Sequence, residues 1–281
     1  CRVSEAQGPL KTLVITGVDG FVGGHLASAA AAAGWTVIGV SYSPSISPAL
    51  APLLSRFYSA DLRSHWPVDE PADAIVHLAG LAAVGPSFAD PQLYIEANSA
   101  MVTNMCEALL KRADQIPPAR IIGVSTGAVY AAPRTDRPLD EESPTAVTSP
   151  YVVSKLLVEN QLAYYSARGL DAVIARPFNH VGPGQATGFL VPDLTAALRS
   201  REPGQPLVAG DLSTARDYTD VRDVVAAYLL LAGARRHEKF VYNIASGRSL
   251  SGRYILARIA RSMGLDEPEV QVDPARLRAV D

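Results

Sequence analysis

The sequence predicts an α/β fold, a parallel sheet doubly wound by helices, and three observations carry that prediction. Short apolar runs recur at Lys11–Thr16, Trp35–Val40, Ala74–Gly80, Ile121–Thr126 and Asp171–Arg176. Each is short and almost continuously hydrophobic, as strands buried on both faces are. Helix-length segments separate most of them, and the first run is followed by a glycine-rich turn and a helix, the order of a βαβ unit.

At 281 residues the chain can bury a large core. The expected organisation is one α/β domain over residues 10–177 and 211–244, with a smaller discontinuous domain over 178–210 and 245–281. Charged residues make up 19% and the net charge is −3, with no basic cluster of the kind that binds nucleic acid. Cys1 and Cys106 are the only cysteines, so neither a disulfide framework nor metal-ligand spacing is present, and no metal is expected. No signal-peptide pattern is visible, and the alanine run Ala29–Ala33 is far short of the ~20 residues of a bilayer span. A soluble cytoplasmic protein is the expectation.

Cys1–Pro9 is polar and patternless and reads as a loose arm. Lys11–Thr16 is the first strand, followed by Gly17-Val18-Asp19-Gly20-Phe21-Val22-Gly23 and an alanine-rich helix that Gly34 stops. Gly17 permits a tight turn, Gly20 lets backbone N–H groups approach a pyrophosphate, and Gly23 allows the helix to pack closely on the strand. The bland alternative is an ordinary glycine-rich βα turn. A strand before and a helix after favour a dinucleotide site.

The second strand runs into Ser41-Tyr42-Ser43. An acid at its end would bind the adenosine ribose hydroxyls and select NAD. None is present, and Ser41 could donate to a 2′-phosphate, so NADPH stands ahead of NADH. Arg56-Phe57-Tyr58 is a short strand, after which Asp61-Leu62 either caps the adenine edge or merely makes a turn. His77 lies inside an apolar run and reads as a core histidine, and Gly80 lets a cofactor cross the strand end. Val84-Gly85-Pro86-Ser87-Phe88 leads into a long helix reaching about Ala113. Its Asn98 is either a buried polar bracket or a helix-packing residue.

Ile121–Thr126 ends in two hydroxyls. Ligands bind at the carboxyl ends of strands in doubly wound sheets, so Thr126 is placed to meet a substrate carbonyl. A polar, proline-rich loop spans Pro133–Pro150, and Ser149-Pro150 opens a helix that ends at Gly169. That helix carries Tyr151-Val152-Val153-Ser154-Lys155. A phenol and an amine four residues apart lie on one helix face, about one turn from each other. The ammonium is expected to favour the phenolate and draw the tyrosine pKa downward.

After the strand Asp171–Arg176, the run Arg176–Gln185 is dense in turn formers and reads as a functional loop or a domain crossing. Arg216, within Arg216–Asp223, either holds a diphosphate bidentately or pairs with Asp217 or Asp220 at the surface. A helix over Val221–Leu231, a strand near Val241 and a helix over Gly252–Met263 complete the chain.

The motifs TGVDGFVG, HLAG, VSTGAVY, YVVSK, RPFNHVGPGQ and GDLSTARDYTDVRD, in this order, resemble the extended short-chain dehydrogenase/reductases, whose core is a Rossmann-type fold. RPFNHVGPGQ and RDYTDVRD, with Ser87–Pro91 (SFADP), narrow the resemblance to GDP-4-keto-6-deoxy-mannose reductases. That resemblance implies Tyr151 as general acid, Lys155 as its pKa partner and ligand of the nicotinamide ribose, and Thr126 orienting the C4 carbonyl. Phe21, Val22, Leu62, Leu78, Ala79 and Pro177 would line the cofactor with the glycines. Asn179 and Arg216 would hold the diphosphate of a nucleotide-diphosphate sugar, with Ser87 near the hexose, and the resemblance implies a homodimer built on the long helices. Related 4,6-dehydratases carry an Asp-Glu pair where this chain has Gly127 and Ala128, so no dehydration is expected. The family usually continues past the position of Asp281, which leaves the role of Arg278 open.

The expected activity is reduction of a nucleotide-linked 4-keto-6-deoxyhexose by NADPH or NADH. An NDP-sugar 4-epimerase with tightly held NAD would use the same three residues, and a non-catalytic dinucleotide sensor would have no need for the acid.

Overall fold

The structure, a computed structural model, describes residues 11–132, 137–202 and 204–274. The arm Cys1–Pro9, the start of the proline-rich loop at Pro133 and Arg278 lie outside them. The described chain divides into two units, residues 1–178 with 221–244, and residues 179–220 with 245–281.

The first unit is built on a seven-stranded sheet. In chain order its elements are β1 (Thr12–Thr16), α1 (Phe21–Ala32), β2 (Thr36–Ser41), β3 (Arg56–Ser59), β4 (Ala74–His77), α2 (Val84–Ser87) and α3 (Pro91–Lys111). β5 (Arg120–Val124), α4 (Pro150–Ala167) and β6 (Ala172–Pro177) follow, and β10 (Val241–Ile244) joins from further along the chain. The strand order is β10-β6-β5-β4-β1-β2-β3, and every pairing is parallel. The order reverses between β1 and β4, which opens a crevice at the carboxyl edge where ligands bind in such sheets.

Alternation along the strands sends side chains to opposite layers. Leu13 and Ile15 of β1 join Leu26, Ala27 and Ala30 of α1 in one buried cluster. Val14, Ile75, Ile121 and Ile174 join Met101, Val102 and Met105 of α3 and Val158 and Leu162 of α4 in the other. Each fully buried aliphatic side chain contributes roughly 1.5–3 kcal/mol.

The segment read as a loop leading into the long helix contains a helical turn of its own, α2, and the long helix begins only at Pro91. Asp90 caps α3 by accepting from the Leu93 amide, and Pro91 occupies the first helical position, so the preceding α2 is a separate turn. α4 starts as the sequence indicates, with the Ser149 hydroxyl accepting from the Val152 amide.

The second unit contains β7 (Asn179–Val181), α5 (Leu190–Ser200), β8 (Leu207–Ala209) and β9 (Ala215–Asp220). After α6 (Val221–Gly233) and β10 of the first unit, it resumes with β11 (Ser249–Ser251), α7 (Gly252–Ser262) and β12 (Val270–Val272). Its core gathers Leu194 and Leu198 of α5, Leu207 and Ala209 of β8, and Leu256 and Ala260 of α7. The sequence reading placed residues 211–220 with the first domain. They belong to the second unit because β9 hydrogen-bonds β7 on one side and β11 on the other. No helix of the described residues is long and apolar enough to cross a membrane.

Candidate active site

The glycine turn follows β1. Gly17 has a φ of +66°, and a Cβ there would lie 3.0 Å from the Ala79 amide nitrogen. A Cβ on Gly23 would fall 2.2 Å from the Gly17 carbonyl oxygen, so α1 can sit on the turn only with glycine at that place. Gly20 is the N-cap of α1 and offers its first-turn amides no side-chain oxygen. The helix end therefore presents N–H groups and a positive dipole end to an anion. These features fit the diphosphate of a dinucleotide.

At the neighbouring strand ends, Ser41 is buried, and its hydroxyl accepts from the Ser43 amide. Asp61 is a turn aspartate. It accepts from the Arg63 amide and, across a forked contact, from Arg63 Nε and Nη2 at 2.9 and 2.7 Å. Arg63 also lies over the Tyr42 ring, 5.9 Å from its centroid. Leu62, beside Asp61, is buried in the core. Leu78 and Ala79 are half-buried beyond β4, with the Ala79 amide donating to Thr16 Oγ1. Pro177 is buried at the end of β6. His77 is a core histidine: it is buried and pairs with Thr16 Oγ1 at 2.9 Å. Burial and the Lys155 charge pull its pKa down to about 3, so it stays neutral.

Tyr151 and Lys155 stand one turn apart on α4, 7% and 8% exposed, with the ammonium 6.0 Å from the centre of the phenol ring. Lys155 Nζ donates to the Val124 carbonyl at 3.0 Å. Thr126, just beyond β5, accepts from the Ala128 amide. Between them the Ser125 hydroxyl is buried without a partner among the described residues. A buried unsatisfied hydroxyl beside a strand end is what a bound cofactor would satisfy.

The expectation of a depressed tyrosine pKa is overturned. Burial pushes the Tyr151 phenol up to about 12, and the Thr126 hydroxyl only partly offsets it. Burial also lowers Lys155 to about 8, against an upward pull from Glu159. Removing both groups from water disfavours each charged form, and this outweighs the influence of the ammonium on the phenol.

Two polar supports hold this helix, of which the sequence offered Asn98 as one of two alternatives and did not point to Glu159 with Arg176. Asn98 of α3 is the bracket: its side chain accepts from the Leu81 amide at 2.8 Å and donates to Ser154 Oγ at 2.9 Å. Gly80, at φ +156°, leaves room for it, because a Cβ would lie 2.9 Å from Asn98 Oδ1. One turn beyond Lys155, Glu159 takes a bidentate pair from buried Arg176, which also donates to the Tyr130 hydroxyl at 2.9 Å. The available signal was Glu159 repeating the i,i+4 spacing of Tyr151 and Lys155, with an arginine ending the next strand.

The other expected substrate residues are placed as follows. Ser87 is fully buried, its hydroxyl donating to the Val84 carbonyl at 2.6 Å. Asn179 opens β7 and Arg216 lies on β9, both in the second unit. Arg216 Nη1 donates to the Ala215 carbonyl, and its neighbour Asp217 accepts from the Ser246 and Arg248 amides.

The model of the NAD dependent epimerase/dehydratase family matches residues 13–245. The chain belongs to that family. Among its relatives, GDP-6-deoxy-D-mannose reductase of Pseudomonas aeruginosa is 34% identical, covering 96% of this chain and 85% of the relative. UDP-glucose 4-epimerase of Azospirillum brasilense is 30% identical over 93% of this chain and 80% of that protein. The solved structure of Thermus thermophilus UDP-glucose 4-epimerase in complex with NAD has a TM-score of 0.77 at 26% identity, covering 94% of this chain and 87% of that one. Family membership accounts for the doubly wound sheet and for the glycine turn at its carboxyl edge.

Proposed function

We propose that this member of the epimerase/dehydratase family is a ketoreductase, reducing a nucleotide-linked 4-keto-6-deoxyhexose, with GDP-4-keto-6-deoxy-D-mannose as its best-fitting substrate. The observation that carries the reading is the placement of Tyr151, buried on α4 one turn from Lys155 and within reach of the Thr126 hydroxyl. A phenol with a pKa near 12 keeps its proton at neutral pH and is a donor, as reduction of a carbonyl requires. The relationship to the Pseudomonas reductase supports the same direction. A second feature argues against dehydration. A Cβ at Gly127 would lie 3.0 Å from the Phe178 ring, so an acid cannot be placed there without displacing that ring.

Bound on the glycine turn, a reduced nicotinamide supplies the hydride for the carbonyl carbon. The Thr126 hydroxyl donates to the carbonyl oxygen and orients it. Tyr151 gives its phenolic proton to that oxygen as charge develops, and Lys155 stabilises the phenolate left behind. Asn179 and Arg216 hold the diphosphate of the sugar nucleotide. In this reading the first unit binds the dinucleotide and the second the sugar nucleotide. A soluble cytoplasmic homodimer remains part of the proposal.

The competing reading is UDP-glucose 4-epimerisation, favoured by the relatives of that name. Purified protein is incubated with reduced dinucleotide and either GDP- or dTDP-4-keto-6-deoxyhexoses, or with UDP-glucose alone. Stoichiometric oxidation of the dinucleotide with a 6-deoxyhexose product supports the reductase. Interconversion of UDP-glucose without net oxidation overturns it.

A further inference from the structure

Lys155 is buried in the first unit, and the groups that face it come from several elements. On α4 itself Tyr151 and Glu159 stand one turn to either side. From β4 the neutral His77 faces it, and from β5 the Val124 carbonyl accepts its hydrogen bond. Of these, Glu159 alone is an anion, and its carboxylate is turned to β6. Arg176 Nε donates to Oε1 at 2.9 Å and Nη2 to Oε2 at 2.7 Å, with both side chains buried. The guanidinium is fixed on a third side as well. Its Nη1 donates to the Tyr130 hydroxyl at 2.9 Å, and that hydroxyl donates to Asn243 Oδ1 at 2.6 Å. The Tyr130 ring lies 4.9 Å from the guanidinium. We propose that Arg176 is a positioning residue for the proton-donating pair: it holds Glu159 as a carboxylate one turn from Lys155, so that Lys155 stays an ammonium in a dry interior.

Burial works against every charge in this cluster. It lowers Lys155, and Glu159 offsets part of that effect only while it carries its own charge. The forked pair supplies that condition, because two parallel N–H···O bonds satisfy both carboxylate oxygens at once. Without the guanidinium, the carboxylate would bear its desolvation cost with only an ammonium of easily lost proton one turn away. The proton then moves to the carboxyl, and both groups become neutral. Tyr130 and Asn243 keep the guanidinium aimed at Glu159, so the charge on α4 is set by residues of β6 and β10 and by the turn after β5.

The inference rests on the reading of Lys155 as partner of the proton donor Tyr151, but its test needs no turnover. The lysines of the chain are Lys11, Lys111, Lys155 and Lys239, so the full chain labelled with ¹³C at lysine Cε gives a spectrum simple enough to titrate. Lys155→Met assigns the signal of interest. In the unaltered protein that signal should titrate near 8. Arg176→Met should lower its midpoint by roughly one pH unit or more, the scale of a carboxylate charge lost one helical turn away. Glu159→Gln should lower it in the same direction, and Arg176→Lys, which keeps a cation beside the carboxylate, should hold it. Where Arg176→Met does not fold, the paired Arg176→Met with Glu159→Leu removes both buried charges and should show the same lowered midpoint. A merely structural role for Arg176 would cost stability and leave the midpoint in place. An unmoved or raised midpoint in Arg176→Met, or in the paired replacement, overturns the proposal. If the midpoints shift as expected while the protein reduces no 4-keto sugar nucleotide, the inference stands and only the ketoreductase reading fails.

Discussion

Lys155 is an ammonium withdrawn from water and anchored on the Val124 carbonyl, and its proton is correspondingly easier to lose. With a pKa near 8, it is charged below that pH and neutral above it. If the charged form supports proton donation by Tyr151, kcat/KM for ketoreduction falls as pH rises through about 8. The phenol, at about 12, adds no falling limb of its own below that value. A pH–rate profile checks this, and Lys155→Met should both lower the rate and abolish the limb. Glu159 pulls the ammonium pKa upward, so Glu159→Gln should move the limb to lower pH. At this scale the positions of Thr126, Tyr151 and Lys155 at the strand edge were legible from hydroxyl-ended runs and an i,i+4 pair. Their ionisation was not, because the desolvation that raises the phenol depends on packing by Tyr94, Val129 and Tyr130, which come from other parts of the chain.

Among the elements, α4 carries the proposed proton donor and its lysine and is fixed by polar contacts on two sides. Ser154 binds it to Asn98 of α3, and Glu159 binds it to Arg176 of β6. The Arg176–Glu159 pair is 7% and 9% exposed, and loss of one partner leaves a buried charge, which costs about 3–5 kcal/mol. Glu159→Ala and Arg176→Ala are each expected to lose stability of that order in urea unfolding. The paired replacement Arg176→Met with Glu159→Leu should recover most of it. Strands β1, β4, β5 and β6 were legible because a run buried on both faces is nearly all apolar. α5 was not, because Pro192 and the preceding Gly182-Pro183-Gly184 have the composition of a loop. Proline is nevertheless tolerated in the first turn of a helix, where its missing N–H costs nothing.

In the whole molecule, the chain leaves the first unit after Phe178, returns at Val221 and leaves again after Ile244. The division between dinucleotide and sugar-nucleotide recognition proposed above has a separable consequence. Arg216→Ala should raise KM for the sugar nucleotide by roughly tenfold or more, as loss of a charge-assisted contact to a diphosphate would. It should leave the dinucleotide Kd unchanged, which calorimetry and steady-state kinetics together report. The discontinuous course was foreseeable from the change of composition after Arg176. The membership of residues 211–220 was not, since it is decided by the pairing of β9 with β7 and β11 rather than by anything local.

The central claim is that the buried Tyr151 hydroxyl gives its proton to a substrate carbonyl, and Tyr151→Phe tests it most directly. The account predicts that kcat for reduction of the 4-keto sugar nucleotide falls by about 10²–10⁴-fold while the dinucleotide still binds with its original Kd. A Tyr151→Phe protein that binds cofactor normally and turns over at nearly the original rate would contradict it.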